Sequence, residues 1–276
     1  MISLLQVLKF HGKTGDTMAD KNYLHTAYAN SADGTDRFTT VYPNLNLLKG
    51  TKTPISITGN NTENQGLLLY SFDNNNTLTN QGFTINDTLT LEFDWKATNP
   101  ASGHFIFQWQ GTPWYFDLPT INISPTNGSG HVVYTFNIRD IDIASTAVAT
   151  GVGYRLDNVP TNTVITFSNV IIRKAKGSQP WMPSSSEVTT ADWPKYVGTY
   201  VDTNPVSSTE PSKYVWDEMK YRVYLEGVAV GGSKLLSFDL KNLKVGTTYN
   251  VQVSQINGNI ESDKSESVVF KTILTQ

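Results

Sequence analysis

Apolar and polar positions alternate with a period of two in short runs across residues 43–176, and no 3.6-residue period persists long enough there for a core helix. The alternation predicts strands at 54–58, 66–72, 88–97, 103–110, 113–118, 131–138, 147–156 and 163–174. Asn60-Asn61, Asp73 to Asn76, Asn99-Pro100, Asn127-Gly128 and Asn158 punctuate the runs as turns. Eight short strands so spaced predict an all-β, two-sheet sandwich or jelly roll. Strand parity assigns the faces. Leu89, Leu91, Phe93 and Trp95 share one face against Glu92, Asp94 and Lys96; Phe105, Phe107 and Trp109 oppose Ile106, Gln108 and Gln110. Tyr134, Phe136 and Ile138 oppose Thr135 and Asn137, and Val152, Tyr154 and Leu156 oppose Arg155 and Asp157. One apolar core and one polar sheet face follow.

The flanks read differently. Residues 1–42 form an N-terminal extension whose 22–42 portion alternates at Tyr23, His25 and Ala27, turns at Ala32-Asp33-Gly34 and resumes at 37–42, a hairpin pattern. Residues 177–216 carry Pro180, Pro183 and Ser184-Ser185-Ser186, the composition of a linker without regular structure. That stretch nonetheless holds Trp181, Trp193 and Trp216, three of the six tryptophans, with Tyr196 and Tyr214 between them. So much aromatic area is expected to pack on something, and these five residues are the candidate protein-docking set. Residues 217–276 return to alternation, as a second and smaller β domain.

Two segments carry a resemblance. Gly177-x-x-x-Trp181-x-Pro183 after an exit strand ending in Arg173-Lys174 resembles the end of carbohydrate-binding-module-like jelly rolls in phage tail proteins. Tyr196-Val-Gly198-Thr-Tyr200, with Pro211-Ser-Lys-Tyr214-Val-Trp216, is similar to a recurring segment of minor structural proteins of Lactococcus and Streptococcus phages, accessory baseplate proteins of siphophages among them. Residues 23–38, YLHTAYANSADGTDRF, resemble the opening segment of several phage baseplate and receptor-binding proteins. The resemblance is strongest over 23–48 and 167–216. It implies a virion protein of the tail tip or baseplate, assembled in the bacterial host cytoplasm, with upper baseplate and receptor-binding proteins and host cell-wall polysaccharide as partners. Leu243 six residues before Tyr249, with Gly246 and Thr247 between, resembles the tyrosine corner of fibronectin type III domains. Only five positions separate Trp216 from Tyr221, so either the linker supplies the missing strands or a partner chain completes the sandwich.

Composition narrows the chemistry. Of 276 residues 38 % are apolar and 16 % charged, and the net charge of −3 offers no basic stripe for nucleic acid. The chain has no cysteine, hence no disulfide or thiolate metal site. It has no run of about 18 apolar residues that would span a membrane. MISLLQVLKFHGK lacks a basic n-region and a cleavage site and reads as no signal peptide, with Met18 a second plausible start.

No cofactor is expected. Structural calcium is the one candidate, with Asp73, Asn74 and Asp87 as loop oxygens, although polar turns account for them equally. Glu92-Phe-Asp94 resembles the Glu-x-Asp-x-x-Glu strand of jelly-roll glycoside hydrolases, but Ala97 stands where the second glutamate belongs. A non-enzyme is therefore expected, with Glu92 and Asp94 on a solvated sheet face and a depolymerase as the least favoured alternative. Saccharide sites combine aromatic platforms with amide or charged neighbours. Gln108, Gln110, Trp114, Tyr115 and Arg155 form that set, with Tyr70 beside them; of adjacent Trp114 and Tyr115 one points inward. The alternative is that these aromatics are core and edge packing and that the module is a purely structural spacer.

Overall fold

A computed structural model describes residues 22–73, 78, 82–110, 114, 118–144, 151–258 and 260–273. In chain order the strands are β1 (Tyr23–Ala29), β2 (Ile55–Thr58), β3 (Gln65–Ser71), β4 (Thr88–Thr98), β5 (His104–Trp109), β6 (Ile121–Asn122), β7 (Ser129–Asn137), β8 (Gly151–Asp157) and β9 (Val164–Arg173). They continue as β10 (Tyr196–Asp202), β11 (Val215–Glu218), β12 (Tyr221–Leu225), β13 (Val228–Ser233), β14 (Thr248–Asn257), β15 (Ile260–Glu261) and β16 (Val268–Lys271). Among the described residues one short α-helix, α1 (Asp140–Ala144), and 3-10 turns at Thr190–Asp192 and Pro211–Lys213 interrupt them. Two compact units result: residues 44–188, and residues 22–43 with 189–273.

The 44–188 unit is a jelly roll. Its antiparallel sheets run β2-β9-β4-β7 and β3-β8-β5-β6, an interleaved order in which successive strands alternate between two sheets except at β5 and β6, which pair with each other. The predicted parity holds: Leu89, Leu91, Phe93, Trp95, Phe105, Phe107, Trp109, Val152, Tyr154 and Leu156 are all buried. Aromatic rings dominate the interior. Phe93 stacks on Phe107 at 4.2 Å between centroids, and Phe105 meets Phe167 edge-on at 5.2 Å, geometries that the ring quadrupole favours. Expected strand 113–118 lies largely outside the described residues; Trp114 and Leu118, the two that are described, are not in a strand, and β6 forms at 121–122.

Asn46 closes the jelly roll. Buried, it accepts the N–H groups of Leu48 and Ile172 at 3.0 Å and donates to Val170 O (2.8 Å) and Thr51 Oγ1 (2.9 Å). All four hydrogen-bonding capacities of the amide are met, so this core amide carries no desolvation debt.

The segment expected to be an unstructured linker is structured, which corrects that reading. Its serines clasp the jelly roll: Asp73 accepts from Ser185 Oγ (2.7 Å), Ser186 N (2.9 Å) and Ser186 Oγ (2.6 Å), while Glu187 accepts the Gly50 N–H at 3.0 Å. From residue 189 the chain enters the second unit, where β10 lies within the supposed linker and β11 begins in it.

In that second unit β1, β10 and β11 make one antiparallel sheet, and β13-β12-β14, with β15 and β16 on β14, make the other. The sequence thus supplies from the linker and the N-terminal segment the strands that the 217–276 stretch lacks. The 22–42 hairpin is reduced to a single bridge, Tyr28 to Thr39, beyond the turn. There Ser31 Oγ, then the Thr35 N–H and hydroxyl, hold the exposed Asp33 carboxyl down at about 2. Tyr28, Val197 and Met219 form the core, with Tyr42 and Ile256 against it. Buried His25 stacks on Tyr200 at 4.5 Å and is held by Ser207 Oγ (3.0 Å) and the Asn204 carbonyl (2.8 Å). The Tyr249 hydroxyl accepts the Lys244 N–H at 2.8 Å, tying the preceding loop to β14. The N-terminal 21 residues, and the reading made of them, lie outside the described residues.

Candidate functional site

Strand β5 carries Gln108, faces Arg155 of β8 across Ile106, and ends one residue before Gln110. Its odd-numbered aromatics point into the core, so His104, Ile106 and Gln108 point the other way, opposite Asp157, Arg155 and Gly153 of β8. Asp157 organises this outer face. Its Oδ1 accepts the Asn64 N–H at 2.7 Å and Arg155 Nε at 3.1 Å, and its Oδ2 lies 2.9 Å from Arg155 Nε and 3.1 Å from His104 Nε2. Burial pushes its carboxyl up, but the Asn64 N–H, the Arg155 guanidinium and His104 together outweigh that and hold it below the usual aspartate range. Arg155 is therefore fixed with about a third of its side chain exposed, as a preset donor.

Two backbone hydrogen bonds mark the far end of β5. Gln110 N–H bonds Gly151 O (3.0 Å) and Trp109 N–H bonds Trp114 O (2.8 Å). Trp114 stands at φ 70, a left-handed backbone that is unusual for a bulky side chain, and is 43 % exposed. Among the described residues it is the one aromatic in the exposed class. Gln110 is half-buried. Gln108 is 9 % exposed, which leaves little of its amide for a ligand. Tyr115 lies outside the described residues.

Tyr70 is corrected from platform to core. A bulge in β3 between Leu68 and Tyr70 turns its ring inward, it is 2 % exposed, and burial pushes its hydroxyl up to about 12.

On the opposite sheet Glu92 departs from the expected solvated face. It is buried, with Arg173 Nη2 at 2.7 Å, Ser178 Oγ at 2.7 Å and the Gln179 N–H at 3.2 Å. The cause is the exit segment after β9, which folds over this face. Asp94 stays partly exposed and accepts from His131 Nδ1 and Asn169 Nδ2, both at 2.7 Å. Of the calcium candidates, Asp73 is held by the serine clasp, Asp87 pairs with Lys174 at 2.9 Å, and Asn74 lies outside the described residues. No group of three or more His, Asp or Glu among the described residues is arranged to hold a metal.

The docking candidates all make contacts inside their own units. Trp181 Nε1 donates to Thr51 Oγ1 at 3.3 Å. Trp193 is 6 % exposed, beside Tyr42 (5.7 Å) and under the Arg222 guanidinium (5.8 Å). Tyr196, half-buried, opens β10 opposite Ala29 and Glu218. Tyr214 is 5 % exposed and donates to Ser208 O at 2.8 Å; burial pushes its hydroxyl up to about 12. Trp216 donates to Pro211 O at 2.9 Å and lies over Gly34 and Gly198 so closely that a Cβ at either would overlap its ring.

The cluster that the sequence reading missed lies around Arg222. An arginine in the otherwise apolar run Tyr221 to Leu225 was its one signal, since a cation at such a position needs a buried partner. The structure supplies Glu261, 8 % exposed, which also accepts Tyr224 Oη at 2.5 Å and the Ser254 hydroxyl.

The comparisons agree with this architecture. Residues 194–252 match the family model described as minor structural protein 5-like, C-terminal domain (BppU-like). A chain in the structure of the tripod (BppUct-A-L) from the baseplate of bacteriophage Tuc2009 is 43 % identical, with 94 % of this chain and 100 % of that one covered at a TM-score of 0.66. A CBM4 structure is 13 % identical over 46 % of this chain and 88 % of its own at a TM-score of 0.32, a likeness that carries no argument. No curated protein matches. At 43 % identity over the whole of the tripod chain, the protein belongs to the family of lactococcal phage baseplate minor structural proteins.

Proposed function

We propose that this baseplate protein is a non-enzymatic accessory part of the virion tail tip that holds host cell-wall saccharide on its jelly roll and is joined to other baseplate proteins through its smaller unit. The observation that carries the saccharide reading is Trp114, a bulky ring kept at the surface on a left-handed backbone. Such conformations cost about 1–3 kcal/mol and persist where surrounding structure or function imposes them. An exposed indole presents an apolar face to sugar C–H groups, and Gln110 with the preset Arg155 supplies hydroxyl partners on the same strand system. Attachment to neighbours rests on family membership and on the tripod assembly of the relative. We read the smaller unit as a fibronectin-III-like sandwich on the Tyr249 loop tie and the two facing sheets. A hydrolytic role is disfavoured by Glu92, whose two oxygens are taken by Arg173, Ser178 and Gln179.

The test is binding of labelled full-length protein to host cells, with and without purified wall polysaccharide as competitor. Saturable binding that the polysaccharide abolishes is expected, weakened about tenfold or more by Trp114→Ala, equivalent to ~1.4 kcal/mol. Absence of binding at tens of micromolar, or a Trp114→Ala variant that binds like wild type, refutes it and leaves a structural spacer.

A further inference from the structure

A cavity of about 470 Å3 opens in the smaller unit beside β12, β14 and β15. Arg222, 3 % exposed, lies in its lining. Its Nη1 is engaged by Glu261, a carboxylate that Tyr224 and Ser254 also donate to, while its Nε makes no hydrogen bond among the described residues and has the buried, likewise unbonded Tyr42 hydroxyl near it. A buried cationic donor without an acceptor is destabilising and is uncommon unless something completes it.

Two lysines add to this at the rim. Lys220 pairs with Glu218 at 2.9 Å. Lys195 is exposed and makes no ion pair among the described residues, yet its backbone is clamped, N–H to Ala29 O (3.0 Å) and carbonyl to the Met219 N–H (2.9 Å). Three cations thus face two carboxylates, both of which are already occupied. Met219 and Ile256 supply apolar wall between them.

We propose that this cavity receives a single acidic side chain from a neighbouring baseplate protein, its carboxylate meeting Lys195 and Arg222 while flanking apolar residues pack on Met219 and Ile256. The inference rests on the reading of the chain as a docked baseplate part. A polypeptide is favoured over a phosphate-bearing polymer because Glu218 and Glu261 in the lining repel a run of anions but admit one carboxylate between the cations.

Phage carrying Lys195→Glu and Lys195→Arg test this, with copies of the chain per virion counted by quantitative mass spectrometry. The exposed position leaves folding untouched. Lys195→Glu is expected to cut incorporation about tenfold or more and Lys195→Arg to retain it, while both purified full-length variants bind host polysaccharide as wild type does. In parallel, amide NMR of the full chain with N-acetyl-Leu-Glu-Leu amide should shift Met219, Lys220 and Ile256, and the glutamine counterpart should not. Wild-type incorporation of Lys195→Glu overturns the proposal, and so do shifts produced by glycerol 3-phosphate in place of the glutamate peptide. Wild-type protein missing from virions overturns the baseplate-part reading itself, a result separable from failure of the cavity alone.

Discussion

Replacing one member of the Arg173–Glu92 pair should destabilise the jelly roll far more than replacing both. Arg173 and Glu92 are 2 % and 9 % exposed at their side chains, and their contact is 2.7 Å. Glu92 is well served, by Arg173, Ser178 and the Gln179 N–H. Arg173 is not. Its Nη2 bonds Glu92 and Gly177 O (2.8 Å), but Nε and Nη1 are buried without partners among the described residues. Removing one charge from such a pair leaves the other buried and uncompensated, a loss of about 3–5 kcal/mol. Glu92→Gln strands the guanidinium and belongs at the upper end; Arg173→Met leaves a carboxylate with two donors and belongs at the lower.

The double variant Glu92→Met/Arg173→Met removes both desolvation costs and the three unpaired N–H groups, so it should return to within about 1 kcal/mol of wild type or exceed it. Calorimetry of the full chain checks this, with the transition of the 44–188 unit expected to be the one that moves. At about 2–4 °C per kcal/mol for a domain near 150 residues, either single variant should lower that transition by roughly 10 °C, and the double should restore it. A Glu92→Gln shift below about 2 °C would mean the pair is solvated in practice. A double variant as unstable as the sum of the singles would mean that the loss comes from packing and not from charge.

Other consequences follow from single contacts. The folded-state carboxyl of Asp157 lies below its unfolded value, so the stability it contributes is complete above pH ~3.9 and is lost as pH falls through the folded value. Asp157→Asn should accordingly flatten the acid limb of a stability-versus-pH curve measured by urea titration. Gly198→Ala would place a Cβ 2.8 Å from Tyr214 Cβ and 2.9 Å from the Trp216 ring, costing about 1–3 kcal/mol in the smaller unit's transition. A 44–188 fragment should melt as one cooperative unit, and truncation at 184 should lower its midpoint by a few degrees, since it deletes Ser185 and Ser186 from Asp73 and Glu187 from Gly50.

The jelly roll was legible because a half-buried strand writes its own period: the parity of Leu89 to Trp95 and of Phe105 to Trp109 named the core before any coordinate did. Parity says which face a residue occupies and nothing about what later covers that face. Glu92 was placed correctly on the outer side of β4, and its burial comes from Ser178 and Gln179, some 86 residues further along. β6 escaped for a different reason, since two residues cannot display a period. The supposed linker was misread because its prolines and serines are local signals, whereas the partner of β10 is β1, 167 to 179 residues earlier in the chain. Exposed aromatics were the hardest to sort. Trp114 and Trp216 are equally conspicuous in sequence, yet one remains at the surface and the other is folded down. The discriminating sign was the glycine. Gly198 sits in β10 directly opposite Trp216, and Gly34 lies under the same ring, so backbone has been cleared on both sides to seat it. A tryptophan with glycines arranged beneath it has found its partner within the chain. Trp114, held out on a left-handed backbone, is the one for which the fold has made no such provision among the described residues, and it is there that a ligand has an aromatic face to meet.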